Sequence, residues 1–188
     1  SQLLPNVRVL MRLLASGGLT LEPQVAAHAE EMFAVLSDPA IYEYENEPPP
    51  SVEWLRERFA RLETRRSPDG QEQWLNWVIR LPSSEAIGFV QATLQADGQA
   101  VVAYVLSSKH WGKGLAQQAV RVMLAELVDR YDVQMFFAVL KRQNQRSARL
   151  LERLSFKTVV DELAAWLQVE QGELLMQRAA CAHENKSL

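Results

Sequence analysis

Between residues 24 and 37 (QVAAHAEEMFAVLS), apolar side chains fall at Val25, Ala29, Met32, Phe33 and Leu36, which is one face of a helix. Asp38-Pro39 ends that helix, because a residue preceding proline is pushed out of the helical region. A loop closing on three prolines follows. Ser51 then reads as the N-cap of a second helix whose buried stripe is Val52, Leu55, Phe59 and Leu62. RRSPDGQ is a turn-rich connector.

Beyond it the period shortens from helical to extended. WLNWVIR (74–80), AIGFVQATL (86–94) and AVVAYVL (100–106) are rich in β-branched and aromatic residues and predict three strands. Pro82-Ser83-Ser84 separates the first two, and Asp97-Gly98 is a hairpin turn for the second pair, so the three are expected to run antiparallel. Val120, Met123, Leu124, Leu127 and Val128 then restore the helical spacing. QMFFAVL (134–140) is another strand, and Asn144 begins a helix carrying Leu150, Leu151 and Leu154. AAWLQVEQGELLMQR reads as a hairpin turning at Gln171-Gly172, with a glutamate-rich helix as the alternative. At the other end a strand is expected near residues 19–22, with a possible second one before the Gly17-Gly18 break.

The summed order, roughly β-α-α-β-β-β-α-β-α-β-β, predicts an α/β (α+β) fold with a mixed, mostly antiparallel sheet and helices packed on it. No repeat, low-complexity segment or linker divides the 188 residues, so a single domain over 1–188 is expected. The formal net charge of −3 implies no broad basic surface for nucleic acid. The longest apolar runs, such as residues 101–106, are too short to span a bilayer. The early apolar run 7–15 lacks a signal-peptide cleavage pattern. Cys181 is the single cysteine, which leaves no intrachain disulfide or cysteine zinc cluster and fits a reducing cytoplasm. With three scattered histidines, His28 expected on the exposed side of its helix, His110 beside the glycine turn and His183 in the tail, no metal site is expected.

Candidate chemistry centres on HWGKGLAQQAV (110–120). Strand, glycine-bearing turn and helix form an arrangement that holds phosphate, since free amides at a helix start point outward and the helix dipole adds positive potential. A Walker loop is excluded because Gly114, not Ser or Thr, follows Lys113. A dinucleotide fingerprint needs a third glycine where Gln117 stands, and an acidic residue where Lys141 and Arg142 stand. The stretch from Trp111 through Gly112, Lys113, Gly114 and Leu115 to Ala116 resembles the pyrophosphate loop of the GNAT acetyltransferases, Arg/Gln-x-x-Gly-x-Gly/Ala, with tryptophan in first place. One strand later, NQRSARLLERLSF resembles the Asn-x-x-Ser-x-x-Leu-Leu-Glu-x-Leu-Gly-Phe of the ribosomal-protein N-terminal acetyltransferase branch, with Ser155 replacing the glycine. The resemblance covers roughly residues 19–178.

That resemblance implies a GNAT fold with helices on both faces of the sheet and a splay between the fourth and fifth strands, where pantetheine lies. It implies acetyl-CoA as co-substrate, with Tyr104, Val105 and Leu106 pairing with pantetheine and residues 112–117 cradling the pyrophosphate. It places Asn144 on the pantetheine arm and Ser147 near the thioester sulfur, as candidate general acid. The tyrosine that many relatives use as that acid is replaced by Leu151, and the branch's proposed glutamate falls near Trp166, which is no base. Glu43, Glu45 and Glu47, in the loop that borders the acceptor pocket in relatives, are candidates for base or for acceptor binding; a solvated acidic loop is their plainer reading. The implied activity is acetyl transfer to a primary amine, on a protein N-terminus or a small cationic molecule. The alternative is an acyl-CoA-binding module without catalysis, and homodimers are common among relatives. Trp54, Trp74, Trp77 and Trp166 are candidate pocket residues, although core positions account for tryptophan more often.

Overall fold

The computed structural model describes residues 10–159 and 167–180. Its strands are β1 (Leu14–Ser16), β2 (Leu19–Pro23), β3 (Glu72–Arg80), β4 (Ala86–Gln95), β5 (Gln99–Leu106), β6 (Met135–Lys141), β7 (Lys157–Thr158) and β8 (Glu173–Ala179). Its helices are α1 (Ala29–Leu36), α2 (Val52–Glu63), α3 (Leu115–Tyr131) and α4 (Gln145–Arg153). All strands join one sheet in the order β1-β2-β3-β4-β5-β6-β8-β7. Every pairing is antiparallel except β5 with β6, because a helical crossover, α3, brings the chain back in the same direction.

The helical stripes pack as their spacing predicts. Ala29, Met32 and Leu36 of α1 and Leu55 and Phe59 of α2 cover Val78 and Ala86 on one face of the sheet. Val120, Met123, Leu124 and Leu127 of α3 and Leu150 and Leu151 of α4 cover Trp77, Ile79, Ile87 and Val90 on the other. Each such side chain contributes about 1.5–3 kcal/mol by leaving water. The alternation along β3 sends Trp77 and Trp74 to opposite faces. Trp77 is fully buried and donates its indole N–H to the Arg12 carbonyl at 3.1 Å, while Trp74 stays partly exposed. Both expected caps form: Ser51 Oγ accepts from the Trp54 amide at 3.0 Å, and Asn144 Oδ1 from the Ser147 amide at 3.2 Å.

One open sequence expectation is met and two change. The second N-terminal strand exists as β1, tied to α3 by the Arg12 guanidinium on the buried Glu126 carboxylate, at 2.9 and 2.7 Å. With it counted, the splay falls between the fifth and sixth strands in chain order, the same pair, 100–106 and 134–140, expected from the sequence. His28, expected on an exposed helix side, instead closes a 3-10 turn at Ala26–His28: its Nδ1 accepts from the Val25 amide at 2.9 Å, and its Nε2 lies 3.4 Å from Glu22. The turn at Gln171-Gly172 does lead into β8, but residues 167–170 form no strand, and the outer partner of β8 is the short β7. Trp166, Cys181 and His183 lie outside the described residues.

Candidate active site

The parallel pair β5–β6 is matched only from Gln99↔Met135 to Val101↔Phe137, after which the strands part. Backbone groups at such a gap need partners. Ser107 donates its amide to Ile87 at 2.8 Å on the β4 side, and the Val105 carbonyl also lies against β4, beside Gly88. Strand alternation therefore turns the backbone of Tyr104 and Leu106 toward the gap. The Leu106 carbonyl there accepts the Trp111 indole N–H at 2.9 Å. Val105, expected with its neighbours on the cofactor edge, faces the other way; its side chain joins the α1/α2 core.

The gap opens into a cavity of about 480 Å³ lined by Tyr104, Leu106 and Trp111 on the strand side. Gly112, Gly114, Leu115, Ala116 and Gln117 form its floor. Gly112 and Gly114 have φ of +76° and +75°, a left-handed conformation that glycine adopts without a β-carbon penalty. No atom lies within 4 Å of where a β-carbon would stand on either. Gly114 caps α3 without a side-chain acceptor, and the first helical amide bonded within the ladder is that of Gln118, to the Gly114 carbonyl at 3.1 Å. The amides of residues 115–117 precede it, so the cavity floor presents the positive end of a 17-residue helix.

The opposite wall belongs to α4. Arg146, Arg149 and Arg153 line the cavity at helical spacing i, i+3, i+7. The Arg146 guanidinium carbon sits 3.4 Å from the centroid of the Trp111 ring, a cation–π stack held in place by the indole bond to Leu106. Sequence reading missed all three arginines. Their stripe looks like an ordinary solvated helix face, and the signal that could have found it is their spacing directly after the phosphate-loop segment. Lys113, by contrast, is exposed and forms no part of the lining.

Ser147 and Asn144 meet the site through Tyr104. The Tyr104 hydroxyl and Ser147 Oγ are 2.9 Å apart, and Asn144 fixes the first turn of α4 beneath them. Burial pushes the Tyr104 phenol above its ordinary pKa, partly offset by the bond to Ser147, so it stays protonated at neutral pH. Leu151 is buried core. Tyr104 was read for its backbone alone; its hydroxyl was invisible because its partner lies 43 residues away.

Other candidates fall elsewhere. Glu43, Glu45 and Glu47 are all exposed and line no part of the cavity. Asp38 connects their loop to the site: its carboxylate accepts from the Ser108 amide at 2.8 Å and the Ala40 amide at 3.1 Å, and the bonds to Ser108 hold it below the usual carboxylate range. Ser108 opens the turn that leads into Trp111. His110 lines the cavity mouth, 3.7 Å from Glu85. Among the described residues no group of three or more His, Cys, Asp or Glu side chains converges to hold a metal, and no helix is long and apolar enough to cross a membrane.

Comparison with known proteins gives the site a context. A family profile described as acetyltransferase (GNAT) domain matches residues 18–157. The chain is 27% identical over 150 residues to the uncharacterized N-acetyltransferase p20 of Bacillus licheniformis, spanning 78% of this chain and 83% of that protein. The ribosomal L7/L12 alpha-N-protein acetyltransferase RimL, solved in complex with coenzyme A, superposes with a TM-score of 0.75 at 16% identity, over 89% of this chain and 98% of that one. The microcin C7 self-immunity acetyltransferase MccE, solved with acetyl-CoA and AMP, gives 0.73 at 16% identity over 88% and 94%. At such identities the two solved structures establish a shared fold.

Proposed function

The chain belongs to the GNAT acetyltransferase family and is an acetyl-CoA-dependent acyltransferase, and from that premise we propose that it acetylates the primary amine of a protein N-terminus or of a small molecule. The observation that carries the reading is the cradle itself. Open space at Gly112 and Gly114, unbonded amides at residues 115–117 and three arginines opposite suit a ligand whose charge is phosphate. The free backbone of Tyr104 and the Leu106 amide suit the amide-bearing arm of coenzyme A. Asn144 remains available through its side-chain N–H groups.

When bound, acetyl-CoA supplies an activated acyl carbon and a sulfur leaving group. The amine nitrogen forms the new C–N bond as the C–S bond breaks; the nitrogen gives up one proton to a base and one proton must reach sulfur. Ser147 is the proposed donor. A lone serine hydroxyl is a weak acid, but Tyr104 at 2.9 Å can replenish its proton. Such acid catalysis is worth about 10²–10⁴ in rate. Glu43 and Glu45 stay as candidates for base or for amine attraction, since their loop is tied to the site through Asp38.

Calorimetric titration with acetyl-CoA, followed by thiol release across small amines and N-terminal peptides, tests the proposal. Binding and steady turnover are expected. Absence of binding at millimolar acetyl-CoA would remove the reading, and tight binding without turnover of any amine would leave a non-catalytic acyl-CoA-binding module.

A further inference from the structure

The sheet face beneath α1 and α2 is not uniformly apolar. The row Val78, Phe89, Val105 is packed in that core, but two residues along each strand the register gives Asn76↔Gln91↔Ala103. The next row is Trp74↔Thr93↔Val101. A polar strip on the inner face of a sheet is uncommon, because such groups lose water and need partners. Asn76 is 3% exposed, whereas Ala103, in the middle of the sheet, is exposed. The layer covering this face therefore thins out from Asn76 toward Ala103.

The strip has a direction. Val101 is the last β5 residue paired to β6, so Ala103 is the first on this face to stand at the gap. Its neighbour Tyr104 reaches to the opposite face and meets Ser147. The far end of the strip lies two strand spacings away, about 10 Å. There Trp74, Asn76, Gln91 and Thr93 join Arg58 and Arg61 of α2 around a second cavity of about 280 Å³. Neither arginine has a carboxylate partner among the described residues, in contrast to Arg56 on Glu30 and Arg80 on Glu22 and Glu31. The nearest acidic side chain along β3, Glu72, is bonded to Gln95 at 2.8 Å and to Trp74 at 3.4 Å. Glu43, Glu45 and Glu47 do not line this cavity. The fixed charge over the outer end of the strip is therefore positive.

We propose that the strip from Ala103 to Asn76 seats the acceptor, and that the acceptor is a primary amine carrying a carboxylate about 10 Å from its nitrogen, received by Arg58 and Arg61. The inference rests on the acyl-transfer reading for the position of the amine, at the gap. The same chemistry is met in a small ω-amino acid and in an N-terminal peptide with an acidic side chain a few residues in.

The test compares acceptors matched in length and differing in terminal charge. The small-molecule arm uses ω-aminooctanoate, octylamine and diaminooctane; the peptide arm uses amidated Gly-Ala-Glu, Gly-Ala-Gln and Gly-Ala-Lys. In one arm or both, kcat/KM for the carboxylate member should exceed that for the neutral member by about tenfold or more, the scale of a hydrogen-bonded charge. The arm that shows the larger preference identifies the source. Arg58→Gln with Arg61→Gln, both exposed side chains, should erase the preference by raising KM for the carboxylate acceptor. Acetyl-CoA affinity, set on the opposite face, should not move. Preference for the cationic member, no charge preference, or a preference that survives in the double variant would overturn the proposal. Calorimetric binding of the carboxylate acceptor to wild type and double variant, with CoA present, separates the two readings. Arginine-dependent binding without turnover keeps the subsite and removes acyl transfer; turnover with no such dependence keeps acyl transfer and removes the subsite.

Discussion

Replacing glycine by alanine at position 114 separates what the phosphate loop does for the fold from what it does for the ligand. Gly114 has φ +75°, where a side chain costs about 1–2 kcal/mol, and stiffening the unfolded chain returns about 0.4–1 of that. No atom lies within 4 Å of the new methyl, so no clash adds to this. The net loss of about 1 kcal/mol should lower the melting temperature by about 2–4 °C for a chain of this size. Acetyl-CoA affinity should fall further, by about tenfold, equivalent to about 1.4 kcal/mol, because the methyl stands beside amides that must approach the pyrophosphate. Gly114→Glu should abolish binding by adding a negative charge at the same place. Gly88→Ala is the contrasting control: its β-carbon would lie 2.0 Å from the Val105 carbonyl, so β4 and β5 must separate and folding itself should fail. Thermal denaturation and calorimetry on folded protein give both numbers. Wild-type acetyl-CoA affinity in a folded Gly114→Glu would refute the assignment of the loop.

Tyr104→Phe and Ser147→Ala should each lower kcat by about 10²-fold or more with little change in acetyl-CoA affinity, and the double variant should be no worse than the worse single one, because they act as one proton path. Additive losses in stopped-flow turnover would show separate roles. Glu22 and Glu31 are both held below the usual carboxylate range by the Arg80 guanidinium. Their stabilising contribution is therefore fully present above the unfolded-state pKa of about 4.3 and is lost as pH falls through their lower folded values. Urea midpoints should drop along that acid limb in the wild type, and Arg80→Gln should flatten the drop; an unchanged limb would count against the triad. Asp38→Ala should release the turn at Ser108–His110 and raise the KM for acetyl-CoA, with Asp38→Asn recovering part of the loss through its remaining amide oxygen.

The parts of this molecule that could be read from the sequence are those whose partners are near in the chain. Val120, Met123, Leu124 and Leu127 are all buried as their spacing requires, and Ser51 and Asn144 cap the helices they precede. The glycine pair was equally legible, since a helix start and two left-handed residues lie within a few positions. Residues whose meaning depends on register or on a third element were not. His28 looked exposed on a helical wheel, but a 3-10 turn and Glu22 hold it. Arg146, Arg149 and Arg153 come to line the cavity only because α4 is set across the gap from α3.

The donor and acceptor halves also differ in what they ask of the fold. Apart from the three arginines of α4, the donor cradle is made of backbone amides, glycine conformation and strand divergence, so its chemistry is inseparable from the elements that build it. Most residues there cannot change without moving a helix start or a strand edge. The second cavity is different. Arg58 and Arg61 are exposed side chains flanking the packed stripe of α2, which depends on Leu55 and Phe59. Gln91 and Thr93 are side chains on strands whose pairing does not depend on them. Charge at that site can be altered while the sheet, the cradle and the Tyr104–Ser147 pair stay intact. A local motif can therefore announce the donor, whereas acceptor selectivity resides in replaceable side chains from α2, β3 and β4, brought together by strand register alone.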